Sequence, residues 1–327
     1  MATALNGKLV TVFGGSGFVG RHVIRALATK GYRVRAAVRR PDLAEHLQPL
    51  GGVGQIMPIQ ANLRYKDSVE RAISGADAVI NLVGILHEAG KQTFDAVQAQ
   101  GAELIAQVAS EHGIKQFVHM SAIGANPDSS SSYARTKAAG EAAVLKALPH
   151  AVILRPSIIF GPEDDFFNRF GSMACIMPTL PLIGGGKTKF QPVFVGDVAE
   201  AVLQSLEGTV ATGCIYELGG PQVLSFKECL EKVLEVTRRK RVLMSLPFGI
   251  ARMQARILQM LPNPMLTIDQ LELLKTDNIV SKEALDSSRT LKAFDLEPRN
   301  LDAILPTYMD KFRPKGQYDA HLPQVQK

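Results

Sequence analysis

The chain has 327 residues, of which 46% are hydrophobic and 21% charged, and its formal net charge is +6. That length suits one large α/β domain or a domain with a smaller lobe, and the composition is that of an ordinary folded protein. The mild positive excess fits a polyanionic cofactor, an acidic partner or a membrane surface. It disfavours nucleic acid, because tryptophan is absent and no aromatic residues interleave with a basic patch.

Cys175, Cys214 and Cys229 form no C-x-x-C pair and no zinc-finger spacing, so they read as idle thiols in a reducing compartment. The N-terminal MATALNGKLV has no apolar signal core, and no stretch approaches the ~20 apolar residues of a membrane span. The expectation is a cytoplasmic protein, with peripheral attachment to the cytoplasmic face of the inner membrane left open.

In chain order, KLVTVFGG predicts a buried strand. GFVGRHVIRALATKG follows as a helix with Val19, Val23, Ile24 and Leu27 on one face and Gly31 as its stop. YRVRAAVRR, GQIMPIQANL and ADAVINLVG predict strands two to four, with DSVERAISG a short helix before the fourth. FDAVQAQGAELIAQVASEHG predicts one long helix, KQFVHMSAIGA a fifth strand, YARTKAAGEAAVLKAL a helix and HAVILRPSIIFG a sixth strand. The alternation predicts an α/β fold, a Rossmann-type doubly wound parallel sheet.

After Gly161 the texture changes to Pro- and Gly-rich loops, then a helix at VGDVAEAVLQSLEG with Asp197 as its N-cap, a strand at CIYELGG and a helix at SFKECLEKVLEVTRRK. The reading divides the chain into a dinucleotide-binding core over 1–160 and a smaller C-terminal α/β lobe over 161–327, with 192–220 returning to the core sheet. NPDSSSS, before Tyr133, is either a mobile loop over the cleft or a solvated connector.

Gly14-Gly15-Ser16-Gly17-Phe18-Val19-Gly20 sits where a strand becomes a helix. Glycines at 14, 17 and 20 allow a tight turn, close approach of backbone to a pyrophosphate and close helix–strand packing. The helix N-terminus adds partial positive charge toward the phosphates. No Lys-Ser/Thr follows Gly20, which disfavours an ATPase-type phosphate loop. An NAD site places Asp or Glu about 20 residues past the glycines, for the ribose 2′-hydroxyl. Here that position holds Arg39 and Arg40, whose guanidiniums suit a 2′-phosphate, with Arg21 in reach of the same cluster. NADP(H) is therefore favoured over NAD(H); the competing reading is solvated charges at a strand end.

Tyr133 and Lys137 stand four apart on a predicted helix and share a face. An ammonium beside a phenol lowers its pKa from ~10, so Tyr133 could move a proton at neutral pH while Lys137 also bonds the nicotinamide ribose. Ser121, ending the fifth strand twelve residues earlier, could orient a substrate carbonyl. Ser121, Tyr133 and Lys137 form the candidate catalytic set.

With the LRPSIIFGP strand, these motifs make residues 8 to about 240 resemble the short-chain dehydrogenase/reductase superfamily in its extended or atypical branch. The resemblance implies that Asn62 and Leu63 contact adenine, Asn62 standing where Asp is frequent. It also implies that Val83 and Gly84 line the cofactor, and that Pro156 and Ser157 touch its nicotinamide end. SSSYARTKAAGEAAV, RPSIIFGPEDDFFNRF and QPVFVGDVAEAV are similar to the dehydrogenase-like accessory subunit of respiratory complex I and its bacterial homologues. That resemblance implies NADPH as a tightly held structural cofactor, a role in assembly or stability, complex I subunits as partners, and no electron transfer through this chain.

RRKRVLMSLPFGIARMQARILQMLPNPML, within 238–266, reads as a basic run followed by an apolar–basic helix. One face carries Phe248, Met253, Ile257, Leu258 and Leu261, flanked by Arg252 and Arg256. It suits a membrane surface, a partner's groove or an ordinary core helix with basic edges. His22, His87 and His119 are scattered and Asp164 and Asp165 do not converge, so no metal is expected. Two functions follow: an accessory protein holding NADPH, or an active NADPH-dependent oxidoreductase or sugar-nucleotide epimerase/dehydratase with a small-molecule substrate.

Overall fold

A computed structural model describes residues 6–259, 264–316 and 318. Leu261, and the first five residues of the N-terminal stretch, lie outside them. The chain divides into two compact units. The first comprises Met1–Pro156, Val195–Leu218 and Val280–Glu297; the second comprises Ser157–Phe194, Gly219–Ile279 and Pro298–Lys327.

The first unit is built on seven strands: β1 (Leu9–Phe13), β2 (Arg33–Val38), β3 (Ile56–Gln60), β4 (Ala78–Asn81), β5 (Gln116–Met120), β6 (Val152–Pro156) and, after β7 (Thr179–Ile183) of the second unit, β8 (Ile215–Leu218). All seven pair in parallel in the order β8-β6-β5-β4-β1-β2-β3. The strands are short apolar runs because both faces are covered. Helices α2 (Lys66–Ile73), α3 (Gln100–Glu111) and α4 (Ser132–Ala147) bury Val69, Ile105 and Val144 with Phe13, Val79 and Phe117 of the sheet. Helix α1 (Phe18–Thr29) packs beside α6 (Val195–Glu207), burying Val23, Ile24 and Leu27. This is the doubly wound α/β sheet expected from the alternation.

Three local expectations are corrected. The helix expected from Phe94 begins as a π turn over Asp95–Ala99 before α3. The turn carries the Gln98 carbonyl to within 2.3 Å of where a Cβ on Gly140 of α4 would stand, so the two segments meet without a side chain between them. The sixth strand stops at Pro156, and Ile159–Phe160 pairs separately with Val193–Phe194 in the second unit. Asp197 does not precede α6; the helix starts at Val195, so Asp197 lies in its first turn, where a carboxylate still favours the helix dipole.

A buried ionic network ties α4 to the sheet. Arg155 of β6 donates to both carboxylate oxygens of Glu141, Nε at 2.8 Å and Nη2 at 2.5 Å, and its Nη1 lies 3.7 Å from Glu217 of β8. Glu217 accepts in turn from the Ser281 amide at 2.7 Å, fixing the Val280–Glu297 segment.

In the second unit, β7 pairs in parallel with β9 (Val242–Leu246). The strands share a core with α5 (Phe166–Ile176), α7 (Phe226–Thr237) and α8 (Phe248–Leu258). Phe166, Phe170, Phe190 and Phe226 meet with tilted or edge-on rings, the arrangement aromatic quadrupoles prefer. Asp164 is a buried anchor here. It accepts from the amides of Gly161, Phe167 and Asn168 and from the Tyr308 hydroxyl at 2.6 Å, while burial raises its pKa. The apolar face expected on α8 is split: Phe248 packs inward, as do Ala251 and Ala255, and Leu258 is half-buried, whereas Met253 and Ile257 face outward. Among the described residues no helix is long and apolar enough to cross a membrane.

Candidate functional site

Strands β1 and β4 are neighbours, and the chain leaves them toward β2 on one side and β5 on the other. Ligands of open α/β sheets bind at the carboxyl ends of such a reversal. Gly14 follows β1 with φ +79°, and a Cβ there would stand 3.1 Å from the Leu82 carbonyl carbon, so the turn presses on the chain leaving β4. A Cβ on Gly20 would stand 2.4 Å from the Gly14 oxygen, and one on Gly15 would stand 2.7 Å from Ile24 Cδ1. Gly17 is the N-cap of α1, with no side-chain cap and no acidic residue in the first turn. The leading amides of Phe18, Val19 and Gly20 therefore present an uncapped helix terminus. Arg21 sits in that turn, its amide donating to the Gly17 carbonyl.

Ser16, Arg39, Arg40 and Leu43 line an open depression of about 480 Å³. Both arginines are exposed. Arg40 is held by Asp42, Nη2 to Oδ2 at 2.7 Å, which raises the guanidinium pKa and lowers that of the carboxyl. Asn62 turns onto its own loop, its Oδ1 accepting from the Arg64 amide, while Leu63 packs on the core.

The segment after β4 is fixed from below. The Val83 amide donates to Asn81 Oδ1 at 3.1 Å, which turns the Asn81 amino group toward His119 Nδ1, also at 3.1 Å. His119 is buried and its pKa falls to about 3, first through desolvation and then through Lys137. The imidazole is neutral, with Nδ1 accepting and the proton on Nε2. Gly84 lies beside Lys137: a Cβ there would stand 3.4 Å from Nζ.

Helix α4 is N-capped by Ser131, whose hydroxyl accepts from the Ala134 amide. It brings Tyr133 and Lys137 to the end of β5. Lys137 is 4% exposed; its Nζ donates to the Met120 carbonyl at 3.0 Å and lies 5.9 Å from the Tyr133 ring centre. Burial lowers its pKa to about 8, against a raising effect of Glu141. The Tyr133 ring meets Phe94 edge-on at 5.8 Å. Ser121 follows Met120 directly; its amide donates to the Leu154 carbonyl, and its buried Oγ has no partner among the described residues. The Pro156 carbonyl accepts from Ile123. Ser157 belongs to the second unit, where its hydroxyl meets Asn278 Oδ1 at 2.7 Å.

The residues present fit a dinucleotide: a cradle that a Cβ would fill, an uncapped helix start, and a buried hydroxyl without a partner beside an anchored lysine. Gly14 to Gly20 would hold its phosphates, and Gly84, Tyr133 and Lys137 would line its other end. A bound nicotinamide would supply hydride chemistry, with Lys137 providing the charge near Tyr133 and Ser121 a hydrogen bond. Sequence reasoning missed Asn81, Glu141 and Arg155, and weighed His119 only as a metal ligand. The available signals were single polar residues inside apolar strands and a glutamate four residues past Lys137.

The fold and site define a dinucleotide-binding protein of the short-chain dehydrogenase type. The chain belongs to the NAD dependent epimerase/dehydratase family, whose profile matches residues 10–219. It is 36% identical over 326 residues to the NADH dehydrogenase [ubiquinone] 1 alpha subcomplex subunit 9, mitochondrial, of Arabidopsis thaliana, covering 96% of this chain and 80% of that protein. It is 30% identical to the NADH-ubiquinone oxidoreductase 40 kDa subunit, mitochondrial, of Neurospora crassa, covering 97% and 83% respectively. The solved UDP-glucose 4-epimerase of Thermus thermophilus, in complex with NAD, shares the fold with TM-score 0.68 at 20% identity over 94% of this chain and 99% of that one.

Proposed function

We propose that this chain is an accessory or assembly subunit of respiratory complex I that keeps NADPH as a structural cofactor, on the cytoplasmic face of the membrane that holds the complex. The observation that carries the reading is the extent of the likeness. Identity to the alpha subcomplex subunit covers 96% of the chain, well past residue 219 where the family profile ends, so it includes the second unit. Preference for NADPH rests on Arg39 and Arg40 beside Ser16, a basic rim suited to a 2′-phosphate.

The test is complementation in cells lacking the gene. Wild type and Tyr133→Phe both restore assembled NADH:ubiquinone oxidoreductase, and affinity capture from solubilised membranes brings down its subunits with NADPH retained. Failure of Tyr133→Phe to restore assembly while retaining NADPH sinks the structural-cofactor reading.

An active NADPH-dependent reductase is the second reading, favoured by the unpartnered Ser121 hydroxyl and by Lys137 poised near pH 8. It requires steady NADPH consumption with a carbonyl panel, abolished by Tyr133→Phe.

A further inference from the structure

Helix α8 has two apolar faces, and only one is used. At about 100° per residue, Ala251 and Ala255 point into the second unit's core. Ile250, Met253 and Ile257 fall within about 60° of arc on nearly the opposite side. They are 48%, 63% and 69% exposed. An ordinary surface helix reserves that side for polar residues. Arg252 and Arg256 project about 110° round from the stripe, both exposed and without an ion pair among the described residues.

Charge is concentrated in the same stretch of sequence. Between Glu235 and Asp269 there is no acidic residue, but there are six basic ones: Arg238, Arg239, Lys240, Arg241, Arg252 and Arg256. The formal net charge of the whole chain is +6, so the rest of the sequence is balanced. Arg239 and Arg241 bond to the carbonyls of Phe312 and Ala174, which holds their guanidiniums without neutralising them.

We propose that the outward face of α8 docks on an anionic lipid surface, lying in the plane of the headgroups. With eleven residues the helix is about 16 Å long, too short to span and long enough to lie flat. Ile250, Met253 and Ile257 enter the acyl boundary, while the guanidiniums of Arg252 and Arg256 reach phosphate on stems that cover apolar surface. Along α8 itself the only charged residues are the cations Arg252 and Arg256, which favours lipid over a folded partner. Protein interfaces fix register with complementary charges, whereas a uniformly anionic bilayer attracts each cation alike. The docking is independent of the dinucleotide and of the complex I assignment, so its failure leaves both standing.

The test is vesicle co-sedimentation of the full chain at low salt, with phosphatidylcholine–phosphatidylglycerol vesicles against pure phosphatidylcholine. Binding is expected to the anionic vesicles only and to weaken with salt. Arg252→Gln with Arg256→Gln lowers the partition coefficient about thirtyfold, taking the usual strength of two juxtamembrane cations. Ile250→Ser with Ile257→Ser, at exposed positions, abolishes binding while circular dichroism stays unchanged. Because the chain has no tryptophan, Met253→Trp is a unique reporter whose emission shifts to the blue on anionic vesicles. Equal binding to both vesicles, an unmoved reporter or an undiminished arginine variant overturns the proposal. So does a chain that ignores anionic vesicles yet binds polyglutamate, which would assign the face to an acidic protein.

Discussion

Glu141→Gln probes the link between the sheet and the helix that carries Tyr133 and Lys137. The carboxylate is buried and receives two hydrogen bonds from Arg155, while Glu217 stands 3.7 Å from the same guanidinium. Breaking a buried ion pair from one side costs about 3–5 kcal/mol, because the remaining charge is stranded. Glu217 remains as counter-charge and the glutamine oxygen still accepts one bond, so the cost sits near the lower end, about 3 kcal/mol. At about 2–4 °C per kcal/mol for a unit of this size, the melting temperature falls by roughly 6–12 °C. Glu141 also raises the pKa of Lys137, so the variant lowers it below about 8. Far-UV circular dichroism melts read the first effect. NADPH binding by nicotinamide fluorescence across pH reads the second: the step assigned to loss of the Lys137 charge moves to lower pH. A melting drop under about 2 °C, or an unmoved binding profile, refutes the network as the support of the site.

Gly20→Ala places a methyl 2.4 Å from the Gly14 oxygen, so purified protein is expected to lose bound dinucleotide through gel filtration. Arg39→Ala with Arg40→Ala should weaken NADPH far more than NADH, whereas Asp42→Ala, which frees Arg40, should tighten NADPH alone; equal effects on both cofactors in titration calorimetry refute the 2′-phosphate assignment. Lys137 has a folded pKa of about 8 against 10.5 unfolded, so the unfolded chain binds the extra proton in that window and burying Lys137 costs most below pH 8. Lys137→Met is therefore most stabilising, relative to wild type, below pH 8, and urea melts should show that advantage shrinking toward pH 10.5. Ser121→Ala removes a buried hydroxyl without a partner among the described residues and should leave the cofactor-free protein as stable or about 1 kcal/mol more so by denaturant titration.

The sheet was legible because each strand is a buried apolar run bounded by turn residues, and such runs need no knowledge of their neighbours. The breaks were not. β6 ends at Pro156, and the next residue, Ser157, is held by Asn278, 121 positions away. The π turn before α3 answers a close approach to Gly140 that exists only once α4 is packed. The Gly14–Gly20 turn and the Tyr133–Lys137 pair are local spacings and could be read directly. Asn81, His119, Glu141 and Arg155 acquire meaning only when β4, β5, β6 and α4 come together. On α8, periodicity showed that apolar and basic residues alternate, but not that Phe248 turns inward while Met253 turns out.

A Ser-Tyr-Lys set inside a protein that only holds its cofactor is not a contradiction. Lys137 is anchored to the Met120 carbonyl and sits beside Gly84, so its ammonium belongs to the wall of the cleft whether or not a hydride ever moves. Removing it alters retention and turnover alike. Ser121 differs, because its hydroxyl has no hydrogen-bond partner among the described residues and desolvating it has a cost. A hydroxyl kept for a substrate carbonyl is dispensable for holding the dinucleotide. Ser121→Ala therefore separates the two roles: unchanged NADPH retention with unchanged complex assembly fits a structural cofactor, whereas retention with lost turnover fits an enzyme.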